Sequence, residues 1–520
     1  MGGAESIMTG DSADPPLPGE HTSLWLATSD ATAYDSLTER VATDVAVVGG
    51  GIVGLTTATL LAEGGRDVAL IERDRVAAGV TGRSTAKVTA QHGLVYDELT
   101  ERYDRRIAGL YGAANAAAVE HVAERAADLG VGDCVDRLPA YTYTRDPSRE
   151  SEFRAEARAA DRAGQPATYV EEVPGADGVA AAVRFDEQAM FHPRRYLLAL
   201  TSRLIEAGGR LYEDTRAVDL EDGRRPRVTT DRGRVVADHV VLATHFPVFD
   251  RAGYFARLYP KRSYLVAVRA SDPPTEGMLY RPGPPYFSAR SATVDGETLT
   301  LVGGHSHKTG QAEDARDRYR AVEREARRRF DVSAVAYRWS TQDYVSVDGL
   351  PVVGDLGPTT RSLSTAAGFG GWGMSNGVAA GMMLSDRLLG RDNPWLDAFD
   401  RGRLTPRAGV KELLTENANV GRRFLVDWLT KPRKRELREL ARGEGTVVRD
   451  DRRAVAVHRD DDGRLHARSA VCPHLNCVVG WNPGEGSWDC PCHGSRFDPN
   501  GSIIDGPAVS DLAEHDLEEE

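Results

Sequence analysis

The pattern of apolar and polar positions first indicates an α/β unit near residue 45. Residues 45–48 and 67–71 are short apolar runs, as in buried parallel strands. Residues 55–63, between them, have the composition of a helix. The pattern therefore predicts a strand–helix–strand unit, the building block of a parallel sheet with helices packed on it.

Two later regions have different patterns. Residues 99–184 are rich in alanine, arginine and glutamate at helical spacing, most clearly over 114–127 and 152–163. Residues 262–304 contain several short alternating runs joined by glycine and proline turns, which predicts an antiparallel sheet. A charged surface helix is predicted over residues 316–330.

The chain becomes β-rich again near its end, with short strands predicted over residues 446–448, 454–457 and 465–467. Before these strands, residues 404–440 include an apolar helix stripe made of Phe424, Leu425, Trp428 and Leu429. We interpret the stripe as packing between domains. The basic run at residues 431–435 is interpreted as a solvated linker, and the alternative is a docking surface for an anionic redox partner.

A glycine-rich turn follows the first predicted strand. In Gly49-Gly50-Gly51-Ile-Val-Gly54, the first glycine permits a tight turn, Gly51 lets the backbone approach a pyrophosphate, and Gly54 lets the helix pack on the strand. Glu72, at the end of the second strand, is placed to accept hydrogen bonds from a ribose. This context indicates dinucleotide binding, but it does not distinguish FAD from NAD.

Four of the five cysteines lie in two short motifs near the C-terminus. The motifs are Cys472-Pro-His474-Leu-Asn-Cys477 and Cys490-Pro-Cys492-His493-Gly494-Ser495. Cysteines and histidines at fixed offsets indicate a metal site. Zinc is the first alternative, because two cysteines and two histidines suit tetrahedral Zn²⁺, although a zinc ribbon would not use the two further cysteines.

These motifs resemble the Rieske [2Fe–2S] domain of the disulfide-containing type found in cytochrome bc complexes. The resemblance implies that Cys472 and Cys490 hold one iron and that His474 and His493 hold the other. It also implies a disulfide between Cys477 and Cys492 that joins the two ligand loops. Because imidazoles replace two thiolates, such centres have potentials of about −150 to +300 mV.

Three further features belong to this resemblance. Ser495 matches the family serine that donates a hydrogen bond to a cluster sulfur. Phe497 stands where high-potential members have tyrosine, and the loss of that hydroxyl donor should lower the potential. Residues 506–508, Gly-Pro-Ala, match the loop that covers the cluster.

A second resemblance covers roughly residues 23–402. Gly79-Val-Thr-Gly-Arg-Ser-Thr-Ala-Lys87 is similar to a flavin-binding segment of the D-amino-acid oxidase/glycine oxidase family. Residues 213–218, 240–244, 348–354 and 367–374 resemble further cofactor segments of that family, in the family's order. The combination resembles a small group of bacterial and archaeal FAD oxidoreductases with a fused Rieske domain.

This resemblance implies FAD as the nucleotide. It places a helix over residues 375–389 with its positive end toward the flavin, where it would stabilise negative charge on the reduced ring. The implied contacts to FAD are Gly49, Gly51, Gly54, Glu72, Arg73, Arg83, Ser84, Thr85, Val218, Thr244, Gly371, Trp372 and Gly373.

Candidate catalytic residues come from the segments expected near the flavin. Lys87 could stabilise reduced flavin or bind a carboxylate, or it could make a structural pair or a phosphate contact. His92 lies in the same segment. His305 and His307 end a strand that is expected to point at the pocket, and a surface loop is the alternative for them.

The predicted fold is α/β: a Rossmann-like FAD-binding domain with an inserted α+β substrate domain containing an antiparallel sheet, and a C-terminal all-β Rieske domain. Residues 1–40 are a lead-in, 41–403 the oxidoreductase domain, 404–442 a helical linker and 443–520 the Rieske domain. Within the oxidoreductase domain, the FAD-binding segments are 41–98, 185–250 and 340–403. The substrate-domain segments are 99–184 and 251–339.

Composition limits the partners. A formal net charge of −13 argues against nucleic acid. No long uninterrupted apolar run is present, so no membrane span is expected, and the cytoplasm is the expected location. The remaining cysteine, Cys134, is interpreted as a small apolar residue.

The leading functional hypothesis is a flavin oxidoreductase that passes electrons between a small organic substrate, such as an amine or amino acid, and an external acceptor, ferredoxin-like or quinone. Electrons would pass through FAD and the Rieske cluster. The alternatives are inward electron flow from the Rieske centre to FAD, and a redox-sensing or electron-carrier module. A Rieske oxygenase is disfavoured because no suitable second iron site is seen. An NAD(P)H reductase is disfavoured because no second nucleotide fingerprint is present.

Overall fold

A computed structural model describes residues 16–312, 314–360, 362–403, 407–430, 434–450 and 453–516. The apolar stripe predicted over residues 424–429 falls on side chains outside those described, and so does the basic run over 431–435. No helix in the described ranges is both long and apolar enough to cross a membrane.

The described part of the chain contains helices of four to 24 residues. They are α1 Leu24–Ala27, α2 Ile52–Glu63, α3 Val95–Arg102, α4 Arg105–Asp128, α5 Glu150–Arg162, α6 Pro193–Glu206, α7 Tyr254–Arg257, α8 Ala315–Arg329, α9 Gly373–Leu388, α10 Leu396–Phe399 and α11 Arg407–Thr430.

The strands of the oxidoreductase part are β1 Arg40–Val48, β2 Val68–Ile71, β3 Lys87–Val88, β4 Val135–Thr144, β5 Ala167–Val170, β6 Ala181–Phe191, β7 Arg210–Tyr212, β8 Ala217–Glu221, β9 Arg227–Thr230, β10 Arg234–Leu242, β11 Leu258–Ala270, β12 Met278–Arg281, β13 Phe287–Val294, β14 Glu297–Lys308, β15 Val332–Ser346, β16 Val352–Asp355 and β17 Leu363–Ala367. The strands of the C-terminal part are β18 Gly445–Asp450, β19 Arg453–Arg459, β20 Leu465–Ser469, β21 Gly480–Asn482, β22 Ser487–Asp489, β23 Arg496–Phe497 and β24 Ile503–Asp505.

The first sheet contains the predicted strand–helix–strand unit. Its main path is β16-β17-β10-β1-β2-β7, and β8 and β9 form a hairpin beside β10. β1 pairs in parallel with both β2 and β10. Residues 45–48 of β1 are all buried, as expected for a central strand with both faces covered. The carboxyl ends of these parallel strands therefore meet at one edge, above the glycine-rich turn.

The second sheet has nine strands and carries the predicted antiparallel region. β11, β13 and β14 pair antiparallel, and β15 adds to β11 in the same sense. The exception is β12, which pairs antiparallel with β13 but parallel with β4. This sheet roofs the carboxyl edge of the first sheet and confirms the predicted α/β class with an inserted antiparallel sheet.

The C-terminal part is built from a three-stranded sheet, β18-β19-β20, and a four-stranded sheet, β21-β22-β23-β24. Its core includes Trp488 and Phe497 together with the four clustered cysteines. Val420 of α11 packs against this core, so the helix joins the two parts of the chain. The predicted β-rich domain is confirmed.

A buried ion-pair network lies where the two parts meet. Arg262 of β11 donates to Glu485 at 2.7 Å, and both side chains are less than a tenth exposed. The Tyr319 hydroxyl of α8 also donates to Glu485, at 2.6 Å, and Arg496 lies 3.4 Å from it. Removing one member of such a network leaves a buried charge unpaired, so the contact fixes how the two parts dock.

Candidate functional site

The glycine-rich turn forms a cradle between β1 and α2. Gly49 has φ +112°, and a Cβ atom there would collide with the backbone of Ala243. Glu72 accepts hydrogen bonds from the backbone N–H of Gly50 at 2.6 Å and of Asp74 at 2.9 Å. Burial raises the pKa of Glu72. The open cradle at a helix N-terminus fits a pyrophosphate, with Glu72 close enough for a ribose.

A cavity of about 300 Å³ extends from this cradle to the second sheet. Most of the predicted cofactor residues line it: Gly49, Gly51, Glu72, Arg73, Ser84, Thr85, Thr244, Gly371, Trp372 and Gly373. Gly54 lies behind the cradle, where a Cβ atom would collide with the Gly49 carbonyl oxygen. Val218 does not line the cavity, although Thr215, Arg216 and Ala217 do, and Arg83 lines a different cavity.

Part of the wall of this cavity comes from the C-terminal domain. The wall residues are Ile503, Asp505, Gly506, Ala508 and Val509. Arg73 donates to the carbonyl oxygen of Ile504 at 2.5 Å, which attaches this wall to the end of β2. The dinucleotide pocket therefore lies between the two domains. No sequence motif indicated this contact, because residues 73 and 504 are brought together only by the docking of the two domains.

Lys87 lies in the pocket wall and is buried. Its ammonium group donates to the Leu279 carbonyl oxygen at 2.7 Å and to the Ser288 hydroxyl at 2.8 Å. Burial, reinforced by the nearby Arg290, lowers the pKa of Lys87 from 10.5 to about 7. The side chain can therefore change charge near neutral pH.

His92 lies next to the pocket, behind Trp372. The two rings stack with centroids 4.7 Å apart. Its Nε2 lies 2.7 Å from the Thr89 carbonyl oxygen and 3.0 Å from the Ser375 hydroxyl, and its Nδ1 contacts the Tyr111 hydroxyl. Burial lowers the pKa of His92 to about 3, so the ring is neutral. These hydrogen bonds hold the His92 ring in place, and the ring stacks on Trp372.

The structure does not bring His305 and His307 to the pocket lining. Both lie at the end of β14, on the side where α8 packs. His307 stacks on Tyr264, and its Nε2 lies 2.9 Å from the Tyr264 hydroxyl. The strand ends as predicted, but its direction carries these side chains away from the pocket.

Sequence reasoning missed three residues at the end of the pocket near the C-terminal domain. His245 has φ +66° and lies 2.9 Å from Asp343. Asp343 also accepts a 2.5 Å hydrogen bond from the N–H of Gly371. Tyr344 is buried beside this pair, with its ring centroid 4.9 Å from that of His245. His245 directly follows Thr244, but Asp343 and Tyr344 carry no motif that could have identified them.

The two cysteine–histidine motifs form a second site. Cys472 and Cys490 are buried with their sulfur atoms in hydrogen-bond contact, and each sulfur also accepts backbone N–H groups. The imidazole rings of His474 and His493 have centroids 5.1 Å apart. Burial lowers their pKa values to about 4 and about 3, so both rings are neutral, as metal ligands must be.

Cys477 and Cys492 form a disulfide that joins the two loops. Cys490 lies within 4.8 Å of both disulfide sulfurs, but these two sulfurs offer no thiolate. The other four side chains of the two motifs are the thiols of Cys472 and Cys490 and the neutral imidazoles of His474 and His493. This set of ligands fits a [2Fe–2S] cluster with two histidines on one iron. A hydrogen bond from the Cys490 thiol, with help from Ser495, lowers the pKa of Cys472 to about 7.

Two aromatic side chains connect the pocket and the cluster site. Tyr344 lines the pocket, and its hydroxyl lies 3.0 Å from the carbonyl oxygens of both His493 and Gly506. Phe246 also lines the pocket, and its ring centroid is 6.2 Å from that of His474. The two sites are therefore in contact through single side chains.

Comparisons with known proteins agree with both sites. Residues 44–387 match the family described as FAD dependent oxidoreductase, and residues 428–516 match the Rieske [2Fe-2S] domain. The Rieske 2Fe-2S iron-sulfur protein YhfW of Bacillus subtilis is 35% identical over 95% of this chain and 97% of its own length.

Two further similarities concern the first domain. Gamma-glutamylputrescine oxidoreductase of Escherichia coli is 25% identical over 45% of this chain and 56% of its own length. The crystal structure of glycine oxidase from Geobacillus kaustophilus covers 70% of this chain and 99% of its own, with a TM-score of 0.55 and 21% identity. The chain belongs to the FAD dependent oxidoreductase family, and it carries a C-terminal Rieske [2Fe–2S] domain.

Proposed function

We propose that this protein oxidises a small amine or amino acid and passes the electrons through its Rieske domain to an external acceptor. FAD would accept two electrons from the substrate, and the [2Fe–2S] cluster would transfer them singly. The observation that carries this proposal is the contact between the two cofactor sites through Tyr344 and Phe246. If the two cofactor sites lay on separate faces of the protein, we would expect the two domains to serve independent reactions.

The surroundings of Lys87 support an anionic group on the substrate. Lys87 and Arg290 are both buried, and their hydrogen bonds go to carbonyl oxygens and to the Ser288 hydroxyl. Among the described residues, neither cation has a carboxylate partner at ion-pair distance. A buried cation is stabilised by an opposite charge, and the carboxylate of an amino acid bound in the pocket would supply one to Lys87, which lines it.

An external acceptor is supported by the surface around the histidine rings. Phe255 is 40% exposed, and its ring centroid lies 5.9 Å from that of His493. Leu475, one residue after His474, is 42% exposed. An apolar surface beside the cluster ligands suits a quinone or the apolar patch of a small ferredoxin-like protein.

The test is an anaerobic titration of purified protein containing both cofactors. Amino acids, N-methyl amines, polyamines, NADH and NADPH are added one at a time, and the flavin absorbance and Rieske EPR signal are followed together. We expect an amine or amino acid to bleach the flavin and then produce the reduced Rieske signal. Reduction by NADPH alone would contradict the proposal.

The internal transfer is tested with Phe246→Leu, which removes the ring between the pocket and His474. We expect the appearance of the reduced Rieske signal to slow at least severalfold while the initial flavin bleaching is unchanged. Tyr254→Phe is the matched control, because Tyr254 is buried nearby and its hydroxyl has no hydrogen-bond partner among the described residues. Equal slowing of both phases would show that Phe246 affects substrate oxidation instead.

A further inference from the structure

A second cavity, of about 200 Å³, lies between the domains beside the dinucleotide pocket. Arg83, Arg262 and Thr341 face it from the oxidoreductase domain. Arg496, Glu485 and Asp505 face it from the Rieske domain. Thr341 and Asp505 also line the dinucleotide pocket, so the two cavities are neighbours with a shared wall. We call this second cavity the interdomain cavity.

The carboxylates of the interdomain cavity are already paired. Glu485 accepts from Arg262 at 2.7 Å and from Tyr319 at 2.6 Å, and it lies 3.4 Å from Arg496. Asp505 lies 3.1 Å from Arg496. Arg496 is also held by Asp489 at 2.9 Å. The negative groups of the cavity are therefore used by two arginines, Arg262 and Arg496.

Several hydrogen-bond donors of the cavity remain without partners. Arg262 is 2% exposed, yet its Nε and Nη1 atoms have no hydrogen-bond partner within the described ranges. Arg83 is half-buried, and its guanidinium makes no hydrogen bond or ion pair with any described residue. The hydroxyl of Thr341 is buried and has no partner in the described part of the chain. Burial, together with Arg496 and Arg262, lowers the pKa of Arg83. The unpaired buried donors of Arg262 and Thr341 are costly, about 1–3 kcal/mol each and more for charged groups.

We propose that the interdomain cavity binds one small oxyanion, a carboxylate or a phosphate of a few heavy atoms, through Arg83, Arg262 and Thr341. Planar guanidinium groups suit the paired oxygens of both anions. A cation is disfavoured, because the unpaired groups that face the cavity are hydrogen-bond donors. The FAD of the neighbouring pocket would be a separate ligand, because Arg262 does not line that pocket.

Such a ligand would lie in a cavity that both domains form. Its arginine partners, Arg83 and Arg262, belong to the oxidoreductase domain, while Glu485 and Arg496 hold the opposite wall. Anything that binds only the docked form stabilises docking by mass action. The inference concerns binding alone, so it stands or falls independently of the proposed oxidation of amines.

The experiment is calorimetric titration of the full-length holoprotein, saturated with FAD so that its own phosphate site is filled. Inorganic phosphate, acetate and succinate are titrated separately at constant ionic strength. We expect one saturable site per chain. The probe that binds with the highest affinity identifies the class of anion. Arg83→Gln should weaken binding at least tenfold, because it removes one of the two guanidinium groups that would hold the anion. Among the described residues, Arg83 has no ion-pair partner whose loss would disturb the fold. Arg391→Gln, at an exposed site, is the matched control and should leave binding unchanged.

The proposal is overturned if none of the three probes gives saturable binding, or if Arg83→Gln binds as tightly as the wild type. If Arg83→Gln does not retain both cofactors, the test passes to Thr341→Val, which removes only the unpartnered hydroxyl. That variant should weaken binding severalfold, and unchanged affinity would overturn the proposal in the same way.

Discussion

Ser495 illustrates how one hydroxyl can adjust a redox centre. It forms a hydrogen bond with the Cys472 sulfur, and its oxygen accepts from the N–H of Ala508 at 3.0 Å. A donor to sulfur favours the more negative, reduced cluster. We expect Ser495→Ala to lower the Rieske midpoint potential by about 60 mV, which corresponds to about 1.4 kcal/mol for one electron. An EPR-monitored redox titration measures this.

Phe497→Tyr is the opposite change at the same site. The Phe497 ring is fully buried beside the clustered cysteines. A tyrosine would offer the hydroxyl donor found in high-potential members of the family, so the potential should rise. A fall in the Phe497→Tyr variant, or a rise in Ser495→Ala, would contradict this account of sulfur hydrogen bonding.

The buried Lys87 should make stability depend on pH. Its pKa falls from 10.5 to about 7 on folding, so the unfolded chain binds more protons between these values. Protonated Lys87 therefore destabilises the folded state fully below pH 7, and the destabilisation decreases as the pH rises toward 10.5.

Lys87→Met should thus stabilise the protein more at pH 6.5 than at pH 9, by about 2 kcal/mol. Urea unfolding at the two pH values measures this difference, with Lys411→Met as the control at an exposed position. A gain that is equal at both pH values would show that Lys87 does not change charge in this range.

At the scale of elements, the disulfide between the two ligand loops of the Rieske domain offers the clearest test of what stabilises the cluster site. The disulfide joins Cys477 and Cys492, which are 15 residues apart in the chain. Closing a loop of this length stabilises a fold by about 3 kcal/mol. We expect the Cys477→Ser/Cys492→Ser double variant to lose its Rieske EPR signal at a lower temperature than the wild type. Cys134→Ser, which removes a free thiol elsewhere, should not change that temperature.

The elements also show what a sequence can predict. The β1–α2–β2 unit and the cysteine–histidine loops were predictable because their signals are local: apolar periodicity, glycines at a turn, and ligands at fixed offsets. Tyr344 and Phe246 were not predictable, since their roles depend on long-range docking. His305 was placed near the pocket from its strand alone, but β14 pairs irregularly with β11 at this point, and that pairing decides where the side chain lies.

At the scale of the whole molecule, the Rieske domain is part of the dinucleotide pocket. Residues 503–509 supply one wall, and Arg73 attaches to it. A chain ending at residue 403 should therefore bind FAD at least tenfold more weakly than the full chain, as measured by flavin fluorescence on titration. Glycine oxidase from Geobacillus kaustophilus, 99% of whose chain matches 70% of this one, has a similar fold.

The full-length Val509→Ala variant is the companion to this truncation. It trims the wall without removing the domain, so its loss of FAD affinity should be smaller. Circular dichroism is the control that checks whether the truncated chain is folded. Equal FAD affinity of the truncated and full-length chains would show that the Rieske wall contributes nothing to FAD binding.

The position of this wall late in the chain has a consequence for biosynthesis. The elements of the first domain end near residue 403, and the wall begins at residue 503. At a synthesis rate of about 5–20 residues per second, the wall emerges roughly 5–20 s later. Until then the pocket is open on that side. A newly made chain thus has several seconds in which FAD can enter before the Rieske domain folds against it.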